Sequence, residues 1–177
     1  MNVFQKDNTW QLRMRDRLLA PFYSKKSKDG RFVFADKGVF SDMIQREMAI
    51  DTLMQIKENG IVAIEEKMVR WPGYEYKSYT LEINTCTVPG RERKGWMYYS
   101  KCDVLLYCFV QENNIEILAH ALPFRKLHEW FFSNEHYKTY RSTITDQINK
   151  TECKIVPIAA VWNNIHGCKK FHISEDF

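Results

Sequence analysis

Residues 50–70, IDTLMQIKENGIVAIEEKMVR, constrain the fold most, as two apolar runs joined by Lys57-Glu58-Asn59-Gly60. Asn-Gly is the strongest short hairpin signal because both residues tolerate positive φ. An isolated hairpin is marginal in water, so the rest of the chain must supply strands and a covering layer. Further strands are expected at 79–86 (YTLEINTC), 102–110 (CDVLLYCFV) and, after an Asn113-Asn114 turn, 115–122 (IEILAHAL). A last strand is expected at 153–162, where Pro157 demotes it to an edge or a bulge. Helices are expected at 10–20, stopped by Pro21; at 40–49, with Ser41 or Asp42 as the N-cap; from Pro123 through PFRKLHEWFF; and over roughly 134–149. Residues 24–30 read as a basic loop with an Asp29-Gly30 turn. The expectation is an α/β protein with one central mixed β-sheet flanked by helices.

The length, 177 residues, suits one domain, and 45% hydrophobic content is enough for a core. No apolar run approaches the roughly 18 residues needed to span a bilayer, so no membrane partner is expected. The start, MNVFQKDNTW, lacks a basic segment leading into an apolar one. Five scattered cysteines without a CxxC pair suit a reducing, cytoplasmic setting and lack zinc-site spacing. His166 and His172 flank Cys168 too loosely to make a supported metal site. Gly-rich phosphate loops, G-x-S-x-G and HExxH are all missing, which argues against nucleotide hydrolases, serine hydrolases and zincins.

Charges inside the strands carry the chemistry. Asp51 opens the first hairpin strand, and Glu65 and Lys67 lie two apart on one face of the second. Glu66 points to the other face, between Ile64 and Met68, while Glu82 sits between Leu81 and Ile83 in the next strand. Burying such groups is costly unless they pair or bind a metal. Mg²⁺ prefers carboxylate oxygens and usually takes one or two, with waters and substrate phosphate completing the shell. A neighbouring lysine can position water and offset phosphate charge. The set therefore suits metal-assisted phosphodiester hydrolysis.

An acid followed across a β-hairpin by (D/E)xK resembles the signature of the PD-(D/E)xK, restriction-endonuclease-like nuclease superfamily. Asp51 matches the first acid, and Glu65-Glu66-Lys67 matches (D/E)xK. Gln45-Arg46 followed by Ala49-Ile50-Asp51 is similar to the Q-R-x-G-(I/V)-D pattern of one branch. Ile50 replaces the proline before the first acid, a proline that many members have lost, and Met48-Ala49 stands where the branch often has a small residue and a glycine. Glu82 matches a later strand acid, and GWMYYSKCDVLLYCF (95–109) resembles the downstream Gly-Trp segment; together the match spans roughly 40–132.

The resemblance implies a restriction-endonuclease-like core over 40–177, with 1–39 as a packed extension. It implies a Mg²⁺-dependent endodeoxyribonuclease, Mn²⁺ substituting, with DNA as partner and homodimerisation by analogy. Asp51 and Glu65 would hold the metal, Lys67 would position water, and Glu82 would complete the catalytic set. Glu47, four residues before Asp51, is either a further ligand or a solvated helix residue. Gln45, Arg46, Arg91, Arg93 and Lys94 are the expected nucleic-acid contacts.

Three other readings stand beside it. The charges can be an exposed strand face with a Glu82–Lys67 cross-strand pair, contributing about 0–1 kcal/mol. The chain can be a catalytically silent nucleic-acid- or partner-binding protein, or a nuclease directed at RNA. Net charge, +4 from 26 basic and 22 acidic residues, permits a polyanion without demanding one. Trp71, Trp96, Tyr98 and Tyr99 can stack bases, though Trp96 reads better as core. Asp103 either orients Lys67 or caps a turn, and His128 reads as structural.

Overall fold

The computed structural model describes residues 3–35, 43–57, 60–71, 77–111, 115–146 and 148–174. Ser41 and Asp42, Asn59 of the hairpin turn, and Asn113-Asn114 lie outside the described residues. In chain order, α1 (Val3–Met14) runs through a π-helical turn (Arg15–Leu19) into α2 (Ala20–Lys26), and β1 (Phe32–Phe34) follows. The hairpin is β2 (Thr52–Lys57) and β3 (Gly60–Trp71), closed at the Lys57–Gly60 pair. Then come β4 (Ser78–Cys86), β5 (Arg93–Lys94), α3 (Trp96–Tyr99), β6 (Val104–Gln111), β7 (Glu116–Pro123) and α4 (Phe124–Phe132). The chain continues with β8 (Ser142–Asp146), β9 (Thr151–Pro157), α5 (Ile158–Asn164) and β10 (Lys169–Ser174).

The fold is α/β, with a mixed six-stranded sheet ordered β1-β2-β3-β6-β7-β10 and helices packed against it. Every neighbouring pair in this sheet is antiparallel except β3 and β6, which run parallel from Ile64–Val104 to Trp71–Gln111. The parallel step requires a crossover, and β4, β5 and α3 supply it. β6 is buried from Leu105 to Val110, as expected for a strand covered on both faces. On one face Ile64, Met68, Leu106 and Cys108 pack under Met14, Leu18, Leu19, Phe22 and Tyr23 of the amino-terminal helices. On the other, Leu105, Tyr107 and Phe109 pack with Tyr79, Leu81, Trp96, Leu127 and Phe131.

Several expectations are corrected. A second, four-stranded sheet, β5-β4-β9-β8, takes the strand at 78–86 and the strand ending at Pro157 out of the central sheet. The burial patterns explain the division. β4 alternates buried and half-buried residues, as a one-sided strand does, whereas the continuous apolar run of β6 claims the central place beside β3. Among the described residues of 134–149 there is no α-helix. Asn134 and Glu135 take positive φ in a short 3₁₀ segment (Ser133–Thr139), and the β-branched STITD sequence then forms β8.

Pro157 ends β9 and precedes α5 rather than sitting inside a strand, and β9 is an interior strand of its sheet. Pro21 does not stop the first helix. The Ala20 amide bonds the Arg15 carbonyl five residues back, and the wider turn admits the proline near the start of α2. Of the helix placed at 40–49, residues 40–42 lie outside the described residues, and Met43–Glu47 forms a π-helical turn.

Candidate metal and phosphodiester site

Asp51 stands at the mouth of the hairpin, where its amide donates to the Ile64 carbonyl at 2.8 Å. That bond places Asp51 beside Glu65 across the strand pair, as a continuation of the Thr52–Ile64 register. The approach to Asp51 turns sharply. Ala49 has φ 45°, a left-handed conformation that favours glycine and costs an alanine about 1–2 kcal/mol. The bend is held from outside, by the Ser100 hydroxyl on the Ala49 carbonyl and the Lys101 amide on the Met48 carbonyl.

Glu65 and Lys67 share the face of β3 that looks toward the second sheet, being paired with Leu105 and Tyr107 of that core. The two carboxyls of Asp51 and Glu65 are close enough for each to oppose the other's ionisation, which a shared proton or a cation would relieve. Burial, and next the charge of Asp51, push the Glu65 carboxyl well above its ordinary value, against a smaller opposite pull from Lys67. Oxygen donors poised this way suit a hard divalent cation, which can take the proton's place. Among the described residues, no three His, Cys, Asp or Glu side chains converge to hold a metal. Asp51 and Glu65 fit a cation that draws the rest of its shell from water and phosphate.

Glu82 lies across the gap, on β4 of the second sheet, and accepts a 2.7 Å hydrogen bond from the Thr85 hydroxyl. β4 passes over the Lys67 neighbour Tyr107, whose hydroxyl accepts from the Thr80 amide at 3.1 Å. Tyr99 is held above its ordinary value by burial and then by the charges of Glu82 and Glu65, so both carboxyls lie within electrostatic reach of one phenol. The structure thus brings Asp51, Glu65 and Lys67 onto one hairpin and leaves Glu82 on the opposite wall.

Gly95 explains the Gly-Trp segment. A Cβ there would lie 2.6 Å from the Glu82 carbonyl oxygen, so only glycine lets the basic hairpin close against the acid. Arg91, Arg93 and Lys94 are all exposed on that hairpin, and Lys94 Nζ stands 4.5 Å from the Tyr98 ring centre. Gln45 is half-buried and Glu47 exposed on the π-helical turn before Asp51; the Arg46 side chain lies outside the described residues, as does that of Trp71. Asp103 accepts from the Ala63 amide at 2.8 Å and so ties the end of the crossover to β3. Trp96 is buried in the core.

Sequence reasoning placed Glu66 on the opposite face but missed its partners. Its Oε1 accepts from the Tyr23 hydroxyl at 2.8 Å and the Thr52 hydroxyl at 2.6 Å, and its Oε2 from Arg15 Nε at 3.1 Å. A carboxylate between Ile64 and Met68 signals that a cation must come to it. Nothing local says which of 26 basic residues does so. Comparison of the chain with protein-family models, with curated proteins and with solved structures returned no match.

Proposed function

We propose that the chain is a Mg²⁺-dependent endodeoxyribonuclease built on a restriction-endonuclease-like core, with Asp51, Glu65 and Lys67 as its site. The observation that carries this reading is that Asp51 stands opposite Glu65 across the hairpin, with Lys67 next along the same strand face. Asp51 and Glu65 would hold the cation, which when bound supplies Lewis-acid polarisation of the scissile phosphate. Lys67 holds the attacking water by hydrogen bond and offsets negative charge as it builds on the phosphate. Glu82, on β4 of the second sheet, would complete the catalytic set.

Arg91, Arg93 and Lys94 lead from Glu82 to solvent and would track the phosphate backbone. Replacing all three by alanine should flatten the slope of log affinity against log salt by about 2–3, because each neutralised phosphate adds nearly one unit to that slope. An unchanged slope in a binding titration removes them from the interface.

One observation favours a second reading, a catalytically silent binding protein. Glu82 is engaged by Thr85, and no third acid joins Asp51 and Glu65 among the described residues. The two readings part in a cleavage panel of supercoiled, linear, branched and single-stranded DNA, with RNA alongside, in Mg²⁺, Mn²⁺ or EDTA. Cation-dependent cutting supports the nuclease and names its substrate. Binding without cutting under every condition supports the silent protein.

A further inference from the structure

The amino-terminal helices lie behind the site, on the face of β3 that the proposed chemistry does not use. Arg15 reaches from the start of the π-helical turn to two acids at once. Its Nε donates to Glu66 Oε2 at 3.1 Å, and its terminal nitrogen stands 3.7 Å from Asp51 Oδ1. The second Asp51 oxygen accepts from the Glu66 amide at 2.8 Å. Asp51 is therefore held from behind at both oxygens.

The cluster is well enclosed: the Arg15, Glu66 and Asp51 side chains are 12%, 2% and 20% exposed. The ring of Phe34 lies 5.0 Å from the Arg15 guanidinium carbon, so β1 packs it from another side. Burying such a pair rarely improves on apolar residues of the same volume, and Ile64 and Met68 show what would otherwise fill this face. π-Helical turns also concentrate at functional sites, where the extra residue re-aims a side chain.

We propose that Arg15 is a positioning residue for Asp51, held in place by Glu66, so that the amino-terminal helical segment is a working part of the site. The inference rests on the nuclease reading above. Partners of this kind set ligand orientation, and losing one lowers metal affinity or activity by about 10–100-fold.

The test is a Mn²⁺ titration of the full chain, followed by electron paramagnetic resonance, alongside plasmid cleavage. Arg15→Met/Glu66→Gln removes both buried charges and keeps an Oε1 acceptor for Tyr23 and Thr52. In the folded double variant, Mn²⁺ affinity should fall about 10–100-fold, with kcat lowered and the KM for DNA unchanged. Wild-type Mn²⁺ affinity in that variant would show a merely structural ion pair and overturn the proposal. If the double variant does not fold, Arg15→Lys carries the test. Lysine keeps the charge but lacks the fork that reaches two carboxyls, so a severalfold loss of affinity supports the proposal and an unchanged affinity overturns it. Wild-type protein that neither binds Mn²⁺ nor cuts DNA would remove the nuclease reading itself, and this inference with it.

Discussion

Glu65→Gln should abolish most metal-dependent cleavage and yet make the protein harder to unfold. Glutamine keeps the shape of the side chain, but it cannot become an anion. Glu65 meets burial and the charge of Asp51, and both oppose its ionised form. Removing that conflict should raise the melting temperature at neutral pH by roughly 2–8 °C, corresponding to about 1–2 kcal/mol for a chain of this size. The same change removes one of two oxygen anions facing the cation, and cleavage should fall on the order of 10²–10³-fold. Opposite movement of stability and activity is characteristic of a site that stores unfavourable charge for function. Thermal unfolding and plasmid nicking of the same preparation check both halves. A destabilised Glu65→Gln protein would mean that the carboxyl pair exists to hold the hairpin together.

The second large effect is a linkage between pH, cation and stability. Burial, with Asp51 next and Arg15 pulling the other way, pushes the Glu66 carboxyl up from about 4.5 to about 7, and Glu65 is raised as well. Raised carboxyl values mean that the folded chain keeps protons which the unfolded chain has already released. The Glu66 contribution to stability is therefore fully present below about pH 4.5 and is lost as pH rises through about 7, at up to about 1.4 kcal/mol per pH unit, and Glu65 acts in the same direction.

A divalent cation held by Asp51 and Glu65 competes with the proton that the raised Glu65 carboxyl keeps, so the stability it adds should grow as pH rises. Millimolar Mn²⁺ should thus raise the melting temperature by several degrees at about pH 8 and by less at about pH 5.5. Differential scanning fluorimetry at the two pH values, with Lys67→Ala as a variant that retains both acids, reads this directly. An equal shift at both pH values would place cation binding elsewhere on the protein.

How far the sequence reached depended on the range of the signal. The β2–β3 hairpin was legible because Asn-Gly and period-two apolar runs act over a few residues. The common face of Glu65 and Lys67, and the opposite aim of Glu66, follow from strand geometry alone. Pairing between distant strands was not legible in the same way. Alternation in β4 and continuous burial in β6 were both present in the sequence, but only the assembled sheets show that β6 pairs with β3 and β4 leaves for a second sheet.

The same limit hid Arg15 from Glu66, 51 residues away. It also hid β1 and β10, short strands whose sequences carry more charge or less length than a core strand does. At 134–149 a polar composition suggested a helix, and two residues with positive φ prevented one. Glu82 lies inside a strand as expected, but in the second sheet rather than the central one, and its place relative to Asp51 and Glu65 is set by how two sheets pack, which no local pattern encodes.

The most direct measurement is cleavage of supercoiled plasmid by wild-type protein and Lys67→Ala, side by side, in Mg²⁺ or Mn²⁺ and in EDTA. Cation-dependent nicking by the wild type should fall by about 10²–10⁴-fold in the variant, the range expected for a group that positions or activates water, while DNA binding persists in both. Equal cutting by the two proteins, or wild-type cutting that survives EDTA, would contradict a site built from Asp51, Glu65 and Lys67.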